Sequence, residues 1–334
     1  MTSTISRPRI QAAFDTMRII HPRIPEVHQA LDDAREVGRL SPYSPKRYVE
    51  FFAPSHSGKS TAITTYIENV VVKQAIERGL FPADMDPQLI ARKQNIVLHV
   101  TLSPKATPKS LASDILRRLG DKRCDSGNTG GLLARVYSML EDEHVELVIL
   151  DEIQHLASGT VKKPGGTAKK MHLVETTEVT DTLKTMMIRG LVPMVFVGIP
   201  EAREHLSVDI QLTNREMNRI NFLPLDWSDS SDRETFRRYC GLAGLMIKKH
   251  GLMPDDTNFL DGDIPEKLWV SSGGCIGLVS RIAEEATIHA AARGAKRVEY
   301  DDLELAIDTR ALPNNYCTYN AFRDGVRTKN LKSA

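Results

Sequence analysis

A change of rhythm between residues 48 and 78 limits the possible folds more than any other feature. Tyr48–Ala53 is a short, mainly apolar run that reads as a strand. Pro54-Ser55-His56-Ser57-Gly58-Lys59-Ser60 follows, and from Lys59 to about Arg78 the apolar residues recur at helical spacing. Strand, Gly-Lys-Ser turn and long helix form the context in which a GxxxxGK(S/T) sequence acts as a phosphate-binding loop. Ala53 stands where the first glycine of that pattern falls, a departure that removes no phosphate contact. Successive backbone N–H groups and a helix N-terminus make an anion cradle. Ser55, His56, Ser57, Gly58, Lys59, Ser60 and Thr61 are therefore the expected nucleotide-binding residues. Gly58 allows close backbone approach, Lys59 supplies a cation to the β- and γ-phosphates, and the Ser60 hydroxyl is a magnesium ligand.

A second segment answers the first. Glu146-Leu147-Val148-Ile149-Leu150-Asp151-Glu152 is an apolar strand that ends in two carboxylates. The C-terminal edge of an open α/β sheet is where ligands bind. Asp151 is expected to hold Mg2+ through water, and Glu152 to polarise the attacking water as general base. ATP and Mg2+ are the implied cofactors. Of the two residues that follow Ile153, His155 reads as a structural histidine in preference to a contact with DNA or a neighbour.

Asn95–Leu102, Val145–Leu150, Pro193–Gly198 and Ile220–Leu225 bring the apolar strands to five, alternating with helical stretches at Lys109–Leu119, Leu132–Glu143 and Thr180–Arg189. That alternation predicts an α/β fold with a parallel sheet covered on both faces. From about Ser228 no strand recurs; Ser231–His250, Gly277–Arg293 and Tyr300–Asp308 read as helices. The expected organisation is an N-terminal appendage at 1–47 with a helix near Glu26–Val37, a nucleotide-binding core at 48–227, an all-helical lid at 228–311 and a basic tail at 312–334.

Lys and Arg total 44 against 43 Asp and Glu, so a nucleic-acid surface has to be a local patch. Val161–His172 carries Lys162, Lys163, Lys169 and Lys170 without an acid, and reads equally as a phosphate-contacting loop or a solvated one. Lys105 and Lys109 flank Thr107-Pro108 at a helix start, an arrangement suited to phosphates. Aromatic interleaving is missing, so DNA contacts are expected to be backbone-directed and sequence-tolerant. Arg323, Arg327, Lys329 and Lys332, with Tyr316, Tyr319 and Phe322, read as a partner-docking tail or a frayed end. The four cysteines lack CxxC spacing, so neither a zinc site nor a disulfide framework is expected and a reducing cytosol is the simplest compartment. No apolar run is long enough to span a bilayer, and no membrane partner is expected. Arg215 and Arg219, ahead of the expected fifth strand, are candidates for a cation delivered to a neighbouring subunit's phosphates, with Arg215 preferred.

Taken together, the ATP-site loop, Asp151-Glu152-Ile153-Gln154-His155-Leu156, Val195–Ala202 (VFVGIPEA), Gln211–Arg215 (QLTNR) and Ser272-Gly273-Gly274-Cys275-Ile276-Gly277-Leu278 resemble the TniB/TnsC family. Pro104…Thr107-Pro108-Lys109-Ser110-Leu111 and Ile115-Leu116…Leu119-Gly120 add to the likeness, which covers roughly residues 45–310. These are AAA+ ATPases that regulate transposition, some of them linked to CRISPR-associated transposons. The resemblance implies an AAA+ fold with a helical lid, Mg-dependent ATP hydrolysis, and homo-oligomeric rings or filaments on double-stranded DNA. It also implies recruitment of a transposase, response to a target-selection protein, and a bacterial, cytoplasmic, DNA-associated setting. Each motif alone is shared with ExeA-type secretion ATPases and origin-recognition ATPases. The former usually continue into a membrane span; the latter usually carry a winged helix after the lid, and 24 residues follow Arg310. A nucleotide-switched bridging protein with negligible hydrolysis is a further reading. Two positions depart from the AAA+ pattern. Ile199 stands where many AAA+ proteins carry a polar sensor, and Gly277 stands where a lid arginine falls. Arg281, one turn on, reads as its substitute or as a surface residue. Weak sensing implies slow hydrolysis, which suits a switch better than a motor.

Overall fold

The computed structural model describes residues 5–157, 168–207 and 210–327. The chain forms two compact units. One gathers Pro25–Pro54 and Lys59–Phe222; the other gathers Met1–Ile24, Ser55–Gly58 and Leu223–Ala334.

The first unit is built on a five-stranded sheet: β1 Tyr48–Phe52, β2 Val97–Thr101, β3 Leu147–Asp151, β4 Met194–Gly198 and β5 Glu216–Arg219. Every pairing is parallel and the order is β2-β3-β4-β1-β5. β1, β3 and β4 are buried along their whole length, which is why they read as apolar runs without alternation. The register sets Phe52 opposite Gly198, Leu150 opposite Phe196 and Thr101 opposite Asp151, so the C-terminal strand ends share one edge. Helix Pro108–Arg118 begins with a capping box between Thr107 and Ser110 and packs Leu111 and Ile115 into the core with Leu98, Val148 and Phe196.

Two elements differ from the expected pattern. The fifth strand is Glu216–Arg219, not Ile220–Leu225. An edge strand bonded only to β1 has no need of an apolar run; Phe222 instead packs edge-on against Phe51, ring centres 5.3 Å apart. The long helix from Lys59 is interrupted: Lys59–Tyr66 is α, Ile67–Val71 is a π turn, and Val72–Glu77 is α again.

Helix Arg23–Leu40 is held to the sheet unit by a buried cation. Arg35 is 1% exposed. It donates to Glu146 at 2.7 and 3.0 Å, to Asp32 at 2.9 Å, to the Tyr66 hydroxyl at 2.8 Å and to Gln74 at 2.7 Å. Glu146 immediately precedes β3 and also accepts from Arg78. Removing one partner of a buried pair leaves the other partly uncompensated. Arg35→Leu is therefore expected to lower unfolding stability by about 3 kcal/mol, read from the denaturant midpoint. A change under about 0.5 kcal/mol would contradict this role for the network.

The second unit is helical, with Arg7–Thr16, Ser230–Lys249, Ile264–Ser272, Ile276–Ala292 and Tyr300–Ala306 around Ile10, Phe236, Leu268, Val279, Ile282 and Phe322. The Trp269 indole donates to the Leu225 carbonyl at 2.6 Å. The C-terminal aromatics are used inside this unit. Tyr319 and Phe322 are buried, the Tyr300 hydroxyl donates to the Phe322 carbonyl at 2.7 Å, and the Arg327 guanidinium lies 4.1 Å from the centre of the Tyr319 ring. Arg323 pairs with Glu304 and Asp308. Lys329 and Lys332 lie outside the described residues. Among the described residues, no helix is long and apolar enough to cross a membrane.

Candidate functional site

β1 ends at Phe52 and a helix opens at Lys59, so the connection is a six-residue loop from Ala53 to Gly58. Ala53 is fully buried and its N–H donates to the Gly198 carbonyl at 3.1 Å. The backbone turns left-handed at His56 (φ 62°) and at Gly58 (φ 99°). For a histidine that conformation is strained by about 1 kcal/mol or more, and such strain persists where a site requires it. Ser57 is buried with a hydroxyl that has no hydrogen-bond partner among the described residues, an orphan that an anionic oxygen would satisfy. The Lys59 ammonium folds back over the loop onto the carbonyls of Ala53 (2.5 Å) and Pro54 (2.9 Å). Ser60 and Thr61 occupy the first turn of the helix; Ser55 and His56 are exposed.

Within the helical unit, the segment Ser55–Gly58 is held by helix Ile276–Ala292. The Gly277 N–H donates to the His56 carbonyl at 2.9 Å, and the His56 and Tyr316 ring centres are 5.9 Å apart. A Cβ on Gly277 would sit 2.2 Å from the His56 oxygen. This contact gives a physical reason for glycine where an arginine is common. Arg281 pairs with Glu284 at 2.8 Å and Asp15 at 3.7 Å, which engages it inside its own unit.

In the sheet unit, Asp151 closes β3 and is 8% exposed. One carboxylate oxygen accepts the Glu152 N–H at 2.8 Å; the other meets His99 Nε2 at 3.0 Å. Reading the sequence alone misses His99, although a signal is there: one imidazole at the centre of the mainly apolar Asn95–Leu102 run, on the strand next to β3. Glu152 adopts a left-handed backbone (φ 61°). The Gln154 carboxamide donates to the Glu152 carboxylate, and its oxygen faces the Ile199 N–H at 3.4 Å. Gly198 leaves room for it, since a Cβ there would lie 2.8 Å from Gln154 Oε1. His155 Nδ1 meets the Leu102 carbonyl at 3.0 Å, a structural contact.

The candidate arginines fare differently. Arg219 is committed within its own chain, at 2.6 Å to Glu216 and 3.2 Å to Glu50. Glu50, 3% exposed on β1, also receives Arg203 at 2.9 Å; burial and Glu216 hold its carboxyl above the ordinary value despite the two guanidiniums. Arg215 sits immediately before β5, its carbonyl accepting the Tyr48 N–H at 3.1 Å and its Nε buried without a hydrogen-bond partner among the described residues. Lys105 and Lys109 are both exposed around the start of helix Pro108–Arg118, Lys105 in a left-handed conformation (φ 58°). Lys162 and Lys163 lie outside the described residues. Lys169 and Lys170 fall in the first turn of helix Ala168–Ile188, and their side chains are not among those described.

The strand order, the Gly-Lys-Ser turn after β1, the acid pair at the end of β3 and the helical C-terminal unit define the AAA+ P-loop fold. Residues 44–206 match a family model described as an AAA domain. Solved structures share the fold. The ORC2 protein of Aeropyrum pernix, in ADPNP-ADP complexes, is 16% identical with a TM-score of 0.56 over 89% of this chain and 71% of that one. The ORC1 protein of the same organism, in complex with DNA, is 16% identical with a TM-score of 0.55 over 92% and 70%. Cdc6p from Pyrobaculum aerophilum is 12% identical with a TM-score of 0.50 over 89% and 70%. At these identities the likeness is one of fold. Comparison with curated proteins finds no match.

Proposed function

We propose that this chain is a Mg-dependent ATPase that binds double-stranded DNA, oligomerises on it and regulates DNA transposition, linking target-site selection to transposase recruitment. The nucleotide part of the reading is carried by one observation. Lys59-Ser60 and Asp151-Glu152 follow or end strands of the same parallel sheet, β1 and β3, with only β4 between them. Bound Mg2+ would neutralise charge on the β- and γ-phosphates. Ser60 and, through water, Asp151 are the residues to hold it. Among the described residues no three His, Cys, Asp or Glu side chains form a metal cage of their own, which suits an ion shared with phosphates and water. The amides from Ser55 to Thr61 and the Lys59 ammonium hold the phosphates. Glu152 orients and deprotonates the attacking water. Arg215, not engaged by a carboxylate among the described residues as Arg219 is, is the residue offered to a neighbouring subunit.

The DNA part is supported by Lys105 and Lys109 at a helix start. It is supported further by the A. pernix ORC1 protein, which has this fold and is described in complex with DNA. Paired Lys105→Glu and Lys109→Glu changes are expected to weaken duplex binding for all sequences alike. They should also reduce the slope of log K against log salt by about 0.9 for each DNA phosphate no longer neutralised. An unchanged slope would remove these lysines from the interface. Transposition rests on the motif set shared with TniB/TnsC proteins. Electron microscopy with duplex DNA and a non-hydrolysable ATP analogue tests the assembly: rings or filaments are expected, and particles that stay monomeric would contradict it. An integrase-type transposase encoded beside the gene and retained on those assemblies would support the pathway. Replication genes in that place would favour an initiator.

A further inference from the structure

The loop between β2 and helix Pro108–Arg118 is braced on both sides of one exposed crest. Leu102 and Ala106 are buried, whereas Pro104 and Lys105 between them are exposed. The Leu102 carbonyl meets His155 Nδ1 at 3.0 Å, and the Ala106 N–H donates to the His155 carbonyl at 3.2 Å. Thr107 and Ser110 close the end of the loop with their capping box. The remaining brace is a carboxylate from the helix itself. Asp114 is 7% exposed; one of its oxygens accepts the Ser103 N–H at 2.9 Å and the other the Ser103 hydroxyl at 3.0 Å. Arg117 donates to that second oxygen at 2.7 Å and holds the carboxylate in place.

At the crest, Lys105 takes the left-handed backbone (φ 58°) that glycine adopts without penalty. Outliers of this kind persist where the surroundings fix them, and they cluster at binding sites. A glycine would suit the turn, so a lysine there points to a use for its ammonium. Among the described residues neither the Lys105 nor the Lys109 side chain has a hydrogen bond or ion pair, so neither cation is neutralised within the chain. A buried carboxylate bonded two residues from Lys105 is electrostatically unfavourable beside phosphates. The geometry it imposes on the loop is what it offers in return.

From these contacts we infer that Asp114 is a positioning residue for DNA: through Ser103 it fixes the crest so that the Lys105 ammonium meets a backbone phosphate in step with Lys109. A crest fixed in advance needs little ordering on binding, and a contact made to phosphate carries no base sequence. The inference rests on the DNA-binding part of the proposed function and names what gives that surface its shape.

The test is duplex binding by the full chain, read by fluorescence anisotropy over a salt series with a random-sequence duplex and the same nucleotide throughout. Asp114→Ala and Asp114→Asn remove the same negative charge, and charge alone would make both bind more tightly than wild type. Asparagine keeps an acceptor for the Ser103 N–H; alanine does not. Asp114→Ala is therefore expected to weaken binding about tenfold, the loss of one charge-assisted contact, and Asp114→Asn to stay within about twofold of wild type. The salt slope of Asp114→Ala should fall by up to about 0.9 as Lys105 leaves its phosphate. Lys105→Gly, which suits the left-handed backbone, should lose as much, and adding Asp114→Ala to it should weaken binding no further. Melting temperatures within about 4 °C of wild type identify folded variants. If Asp114→Ala does not fold, Ser103→Ala decides: it changes no charge, removes only the hydroxyl bond and is expected to weaken binding about threefold. Folded Asp114→Ala that binds as tightly as wild type or more tightly overturns the inference. Equal affinities of the alanine and asparagine variants overturn it as well, as does an unchanged affinity where Ser103→Ala decides. Wild-type duplex binding that Lys105→Gly leaves unchanged overturns it too, while leaving the DNA-binding reading intact. No duplex binding by wild type defeats that reading, and the inference with it.

Discussion

Glu152→Gln is expected to lower phosphate release by about 100-fold or more while leaving ATP affinity within a few-fold of wild type. The two effects separate because the amide keeps the size of the carboxylate and removes only its basicity. Asp151, Ser60 and Lys59, to which the proposed function gives the binding, are untouched. The glutamine would still accept a hydrogen bond from Gln154, so the local turn should persist. If the protein assembles on DNA in its ATP-bound form, the variant should also accumulate there, because release depends on a step it can no longer perform. Single-turnover release by rapid quench, with nucleotide binding measured separately, distinguishes this from a loss of affinity. A variant that hydrolyses at the wild-type rate would assign the base to another group. A nucleotide-switched bridging protein would show little difference between the two, since neither would turn over.

Gly277→Ala is expected to weaken ATP binding by about tenfold or more, an effect well beyond what one methyl group suggests. The added Cβ would fall 2.2 Å from the His56 carbonyl oxygen, a distance no real pair of such atoms sustains. Helix Ile276–Ala292 must then withdraw, and the hydrogen bond from Gly277 N–H to His56 breaks. His56 is strained at φ 62° and belongs to the loop whose amides are to hold the phosphates. Without its anchor that loop is free to leave the required geometry. Gly130→Ala is the matched control: it is a helix-start glycine whose Cβ would meet nothing nearer than 3.8 Å. Isothermal titration of both variants checks the difference, and equal affinities would show that Gly277 does not shape the loop.

What can be read from the chain follows from what physics demands of it locally. β1, β3 and β4 are legible because a strand buried on both faces is mostly apolar, with Glu50 on β1 and Asp151 at the end of β3 as the charged exceptions. The Gly-Lys-Ser turn and the Asp-Glu pair stand out as candidates because phosphate and metal chemistry allow few residue types at each position. β5 is misplaced by sequence reasoning because an edge strand carries no such demand, and Glu216–Arg219 looks like a loop. The π turn at Ile67–Val71 shifts the hydrogen bonding by one residue yet leaves the apolar periodicity almost intact. The hidden interactions are between residues distant in sequence: Arg35 with Glu146, His99 with Asp151, and His56 with Gly277. No spacing rule announces such pairs. Gln154 is near Glu152 in sequence, but its reach depends on a left-handed backbone at Glu152 and the missing side chain at Gly198, neither of which a propensity reveals.

The central claim is that Lys59-Ser60 and Asp151-Glu152 serve one Mg-ATP. Calorimetric titration of ATP, with and without Mg2+, into wild type and Lys59→Ala measures it directly. One saturable, Mg-dependent equivalent per chain is predicted for wild type, and none for the variant. Binding indifferent to Mg2+, or undiminished without the lysine, would contradict it.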